Sequence, residues 1–78
     1  MSEADEMFEE LGYEEKMPES GRYYSIKYYK DDDNVIYFDE EDREIHKDGE
    51  YAETCYGITM PELKAINEKC KELGWLND

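Results

Sequence analysis

Basic residues are scarce in this 78-residue sequence, which has two prolines, two cysteines, a single histidine and no long apolar run. No stretch approaches the roughly 18 apolar residues of a membrane span. The opening Met1-Ser2-Glu3-Ala4-Asp5-Glu6 lacks the basic start and apolar core of a secretory leader, so a cytoplasmic location is expected. In that reducing compartment Cys55 and Cys70 are read as free, partly buried thiols rather than a disulfide. No linker rich in Gly, Ser or Pro and no internal repeat divides the chain, so residues 1–78 are expected to form one domain. A domain of this size hides only roughly 60–65% of its unfolded surface, which makes its core thin.

Chemical motifs are equally sparse. His46, Cys55 and Cys70 show neither C-x-x-C nor H-x-x-x-H spacing, so no zinc set is expected. A calcium loop counted from Asp31 puts Val35 at position five, Ile36 where glycine is wanted and Asp42 where glutamate is wanted. Counted from Asp39 it puts Arg43 at position five. Both registers fail, and the acids read as solvated turns. Pairing about Asp48-Gly49 sets His46 against Tyr51 rather than Cys55, so no Cys–His couple forms. Phosphate-binding glycine loops are missing as well. Neither an enzyme nor a cofactor is expected, because a thin core leaves little room for a desolvated cleft.

What is present is acid. Asp and Glu number 23 against nine Lys and Arg, a net charge of −14. Residues 1–19 carry eight acids and one base, and residues 39–53 carry eight and two. Between them lies a neutral, tyrosine-rich segment. Such a surplus repels nucleic acid and anionic membranes directly, and points instead to a protein partner with a basic surface. Eight Tyr, two Phe and one Trp are too many aromatics for a chain that never packs.

Local patterns define an α+β fold. Ser2 caps a short N-terminal helix, acids at positions 3, 5 and 6 suit its positive end, and Gly12 stops it after Leu11. Ala4, Met7, Phe8 and Leu11 form its apolar stripe. Alternation over Arg22 to Lys30 predicts a strand with Tyr24, Ile26 and Tyr28 inward. Residues 31–34 turn into a buried strand over Val35 to Phe38, and residues 39–42 lead to a polar strand from Arg43 to Lys47. Asp48-Gly49 would return the chain along Glu50 to Tyr56. The result is an antiparallel meander of three or four strands. Thr59 and Glu62 have capping-box spacing, Pro61 sits in the first turn, and Ile58 with Leu63 matches a hydrophobic staple. Leu63, Ile66, Cys70 and Leu73 predict the buried face of this amphipathic helix, which covers one face of the sheet. Gly74 ends it, and Trp75 falls where a Schellman motif folds the chain back.

Three segments carry a resemblance. Met7-Phe8-Glu9-Glu10-Leu11-Gly12-Tyr13, Val35-Ile36-Tyr37-Phe38, and Ile58 through Asn67 with Glu72-Leu73-Gly74-Trp75-Leu76 resemble small proteins encoded by phages and prophages of Gram-positive bacteria. The likeness spans most of the chain through structural motifs and carries over no catalytic residue. It implies action inside a host cell by binding a host protein, including inhibitors that present DNA-like charge.

Two binding modes follow. In one, Asp31, Asp32, Asp33, Asp39, Glu40, Glu41 and Asp42 act as a decoy for a nucleic-acid-binding surface, which requires the acidic blocks to meet in space. In the other, exposed tyrosines of the sheet, Tyr29 and Tyr51 among them, anchor a host or phage protein that does not bind nucleic acid. Neither mode specifies an oligomeric state.

Overall fold

The structure is a computed structural model, and it describes residues 2–16, 26–48 and 57–76. Its order is α1 (Glu3–Glu10), β1 (Glu14–Lys16), β2 (Ile26–Asp31), β3 (Asn34–Asp39), β4 (Glu44–Asp48) and α2 (Met60–Glu72). The four strands form one antiparallel sheet in sequence order, as a meander. The strand foreseen over Glu50 to Tyr56 lies outside the described residues. Among the described residues the fourth strand is β1. It was not foreseen, because Glu14-Glu15-Lys16 has no apolar alternation and exists as a strand only through its pairing with β2. No helix among the described residues is long and apolar enough to cross a membrane.

Both helices begin and end as their sequences direct. The Ser2 hydroxyl accepts from the Asp5 N–H, and Thr59 with Glu62 forms a complete capping box. Each C-terminus closes with the paired bonds of a Schellman motif. Gly12 N–H donates to Glu9 and Tyr13 N–H to Phe8, while Gly74 N–H donates to Lys71 and Trp75 N–H to Cys70. Gly12 and Gly74 have φ of 92° and 78°, a region where a side chain is strained. The residue after each glycine is aromatic and turns into the core. Tyr13 meets Phe8 edge-on at 5.9 Å, and Trp75 lies 6.1 Å from Phe38.

One face of the sheet holds the core. Cross-strand pairing lines up Tyr28 with Ile36, and Ile26 with Phe38 and Ile45. Phe8 of α1 stacks on Tyr28 at 3.9 Å, and α2, lying against α1, adds Ala65, Ile66 and Cys70 to the same cluster. Cys70 is a free, buried thiol. Leu63 departs from expectation: it is 39% exposed, as is Ile58 at 42%. Ile66 and Cys70 are buried as expected and Leu73 packs on the core, but Glu62, Ala65 and Lys69 complete the buried face, so two charged residues point inward.

Those two charges explain the rotation. On the core-facing row Lys47 lies opposite Ile36, and its ammonium sits 2.8 Å from Glu62 with both side chains under 9% exposed. Glu62 also accepts from the Tyr13 hydroxyl at 2.7 Å and from the Thr59 N–H at 2.9 Å, while Lys47 donates a second bond to the Gly57 carbonyl. Among the described residues, no buried side-chain polar atom lacks a partner. This matters because an unpaired buried charge costs far more than a paired one returns.

Burial by itself would raise the Glu62 pKa, but the bonds from Lys47, Thr59 and Tyr13 outweigh it and bring it from 4.5 to about 2. A carboxyl depressed on folding stabilises the fold fully above its unfolded value and loses that contribution as pH falls toward the folded value. Asp5 is depressed in the same direction. Urea midpoints should therefore drop between about pH 5 and pH 2. Glu62→Gln should flatten that drop, and Glu62→Ala should cost about 3–5 kcal/mol at neutral pH by stranding Lys47. An unchanged pH profile in Glu62→Gln would show that the carboxylate does not control acid unfolding.

Candidate functional site

A groove of about 500 Å³ runs between α1 and the β1 edge of the sheet, lined by Asp5, Glu9, Tyr13, Glu14, Glu15 and Tyr28. Its construction follows from the local folding rules. Asp5 and Glu9 are four apart on α1 and share one helix face. Glu15 pairs with Tyr28 across the first two strands and lies on the same side of the sheet. Gly12 reverses the chain between the two walls, and Tyr13 packs into the groove as it leaves the helix.

The aromatic walls are held by hydrogen bonds to acids. The Tyr28 hydroxyl donates to Asp5, and the Tyr13 hydroxyl donates to Glu62. Burial, followed by the neighbouring carboxylates, pushes both phenols far above their usual range, so they stay protonated and work as donors. Burial would raise the Asp5 carboxyl too, but the bonds from Tyr28 and Ser2 and the Lys69 ammonium, at 3.5 Å, hold it below its ordinary value. Lys69 also approaches Glu72 and lies over the Tyr28 ring at 5.9 Å. Glu9, Glu14 and Glu15 remain exposed, with Lys16 3.5 Å from Glu14. The groove thus has a fixed aromatic floor beneath an acidic rim. Its chemistry suits a cation with an apolar stem, such as a Lys or Arg side chain.

The acids singled out from sequence do not gather into one patch. Asp31, Asp32 and Asp33 form the exposed turn between β2 and β3, where Asp31 accepts from the Asp33 N–H and the Asn34 amide. Those bonds, the Asn34 amide first, hold its carboxyl low. Since Glu14 pairs with Tyr29, this turn lies at the end of the sheet where β1 begins, so it adjoins the groove. Asp39, Glu40, Glu41 and Asp42 lie at the other end of β3, roughly 17 Å away along a six-residue strand. Among them Asp39 is 8% exposed, and its carboxylate accepts from the Glu41 and Asp42 N–H groups. It braces the turn from within, while Glu40, Glu41 and Asp42 face solvent.

Tyr29 is half-buried on the outer face of the sheet, with its hydroxyl on Asp32 and Lys16 5.7 Å from its ring centre. Tyr51 lies outside the described residues. Sequence reading missed Asp5, Glu9, Glu14 and Glu15 as one set, although the i,i+4 spacing of the first two carried a signal. It also missed the approach of Asp39, Glu44 and His46 on the outer face of β3 and β4.

Comparison of the chain with protein-family models, with curated proteins and with solved structures found no match. A function must therefore be argued from the chemistry of the chain itself.

Replacing Tyr28 with Phe removes the hydroxyl bond to Asp5 while keeping the ring stacked on Phe8. A loss of about 1.5–3 kcal/mol in unfolding free energy is expected, the usual contribution of a hydrogen bond to a charged group. A double-mutant cycle with Asp5→Asn should show positive coupling. Additive losses would mean that the two side chains stabilise the fold independently.

Proposed function

We propose that this chain is a non-enzymatic acidic binding protein that engages a basic protein surface. The biological setting suggested by its phage-like segments is stoichiometric inhibition of a host protein that handles nucleic acid or serves in defence. The observation that carries the reading is the convergence of Asp5, Glu9 and Glu15 on a groove with an aromatic floor, with Glu14 at its edge. A net charge of −14 supports it by speeding encounter with a basic partner through long-range attraction.

The acidic rim and the adjoining Asp31–Asp33 turn supply the negative edge that such a partner meets first. Carboxylates there displace the counterions of a Lys/Arg groove much as phosphates do, which gives the DNA-mimic form of the reading its physical basis. Glu40, Glu41 and Asp42, a strand length away, form a separate contact at most. The tyrosine-face alternative rests on Tyr29, which is half-buried with its hydroxyl on Asp32, and on Tyr51, which lies outside the described residues.

Host proteins captured on the immobilised chain and eluted with a salt gradient provide the test. The specific partner should leave between low and moderate salt in a one-to-one complex. Glu9→Lys with Glu15→Lys should weaken it about tenfold or more, as expected for repulsion in a charge-steered contact, while Glu40→Lys with Glu41→Lys should have the smaller effect. Competition by duplex DNA for the same partner marks the mimic form. Salt-insensitive capture unaffected by the groove substitutions overturns the proposal.

A further inference from the structure

The outer face of the sheet, away from the groove, gathers a second set of groups. Asp39 and Glu44 are direct partners in the β3–β4 ladder, and Glu44 and His46 are two apart on β4, so all three share the face opposite Phe38 and Ile45. One donor atom from each lies within 4.8 Å of the other two. His46 is the sole histidine of the chain.

We propose that Asp39, Glu44 and His46 bind one divalent transition-metal ion of the zinc class. The donor types are the first reason. Two carboxylates alone would attract any hard cation, whereas an imidazole beside them favours zinc, cobalt or nickel over magnesium and calcium. The electrostatic cost of the bare arrangement is the second. Two like charges placed directly opposite on neighbouring strands destabilise the pairing, and a dication between them reverses the sign. None of the ion pairs found among the described residues supplies a cation to Glu44 or Asp39.

The geometry also divides the labour. Asp39 is buried and pinned by two backbone N–H groups, so it provides a fixed anchor. Glu44 and His46 are exposed on β4 and can rotate toward it. Donors bound at about 2.1 Å sit roughly 3.0–3.5 Å from one another, so a side-chain movement of about 1 Å closes the set. Three protein donors leave the outer coordination position open to water. The bound ion pins the end of β3 to β4, and it lies apart from the groove, so this inference stands independently of the proposed partner.

Cobalt(II) and zinc added to the full-length chain provide the test. Sub-stoichiometric cobalt should broaden the NMR signals of the His46 ring and the Glu44 amide first, and its visible spectrum should lack a thiolate charge-transfer band. Calorimetry should give one zinc per chain, and excess magnesium should not displace it. His46→Gln should lower the affinity at least about tenfold, the scale of effect seen even when groups behind a ligand are removed. Because the broadening pattern is read on the unaltered chain, it decides the matter even if a variant fails to fold. Broadening spread equally over Glu9, Glu15, Glu40 and Glu41, several weak ions per chain, or binding unchanged by His46→Gln would mean an adventitious ion only and overturn the proposal.

Discussion

One buried carboxylate joins the separate parts of this small fold. Glu62 accepts from the ammonium of Lys47 on β4, from the hydroxyl of Tyr13 at the junction of α1 and β1, and from the N–H of its own helix cap at Thr59. Three elements distant in sequence thus share one anion. The parts support one another, because removing a donor leaves a charge less well paired in a low-dielectric place, where that is costly. It also sets the rotation of α2. Turning the helix to bury Leu63 would move Glu62 and Lys69 toward water and strand their partners.

A thin core explains why polar networks take on this work. The apolar cluster is built around Phe8, Tyr13, Tyr28, Ile36 and Phe38, with small residues Ala65 and Cys70 letting α2 approach. Two of its large members carry hydroxyls, and each is satisfied by a carboxylate at the cluster boundary. Lys69 does for Asp5 and Glu72 what Lys47 does for Glu62. Among the described residues Lys47 and Lys69 are therefore committed to the interior, matched in number there by the buried carboxylates of Glu62 and Asp39.

That residual charge is partitioned by topology. Among the described strands the sheet order places β1 and β4 farthest apart, roughly 14 Å across three interstrand steps. Asp5, Glu9, Glu14 and Glu15 lie on the β1 side around an aromatic groove, and Asp39 through Glu44 lie around the β3–β4 turn and the outer face of β4. The first set suits a cationic side chain of a partner, because its floor is apolar and rigid. The second contains an imidazole and a fixed carboxylate, a combination suited to a metal ion.

Much of the local structure was legible in advance because short-range chemistry decides it. The Ser2 cap, the Thr59–Glu62 box, the stops at Gly12 and Gly74 and the inward alternation of Ile26 and Tyr28 all depend on neighbours within a few residues. The strand over Val35 to Phe38 was legible for the same reason, extended by one residue at each end. Tertiary contact alone decided the rest. Glu14-Glu15-Lys16 became a strand because β2 offered a partner, and Leu63 stayed outside because Lys47 and Tyr13 claimed Glu62. Composition established how much negative charge the molecule carries. Where that charge meets an aromatic wall or an imidazole depended on which distant residues the sheet register set side by side, and a one-residue change in register would have sent them to opposite faces.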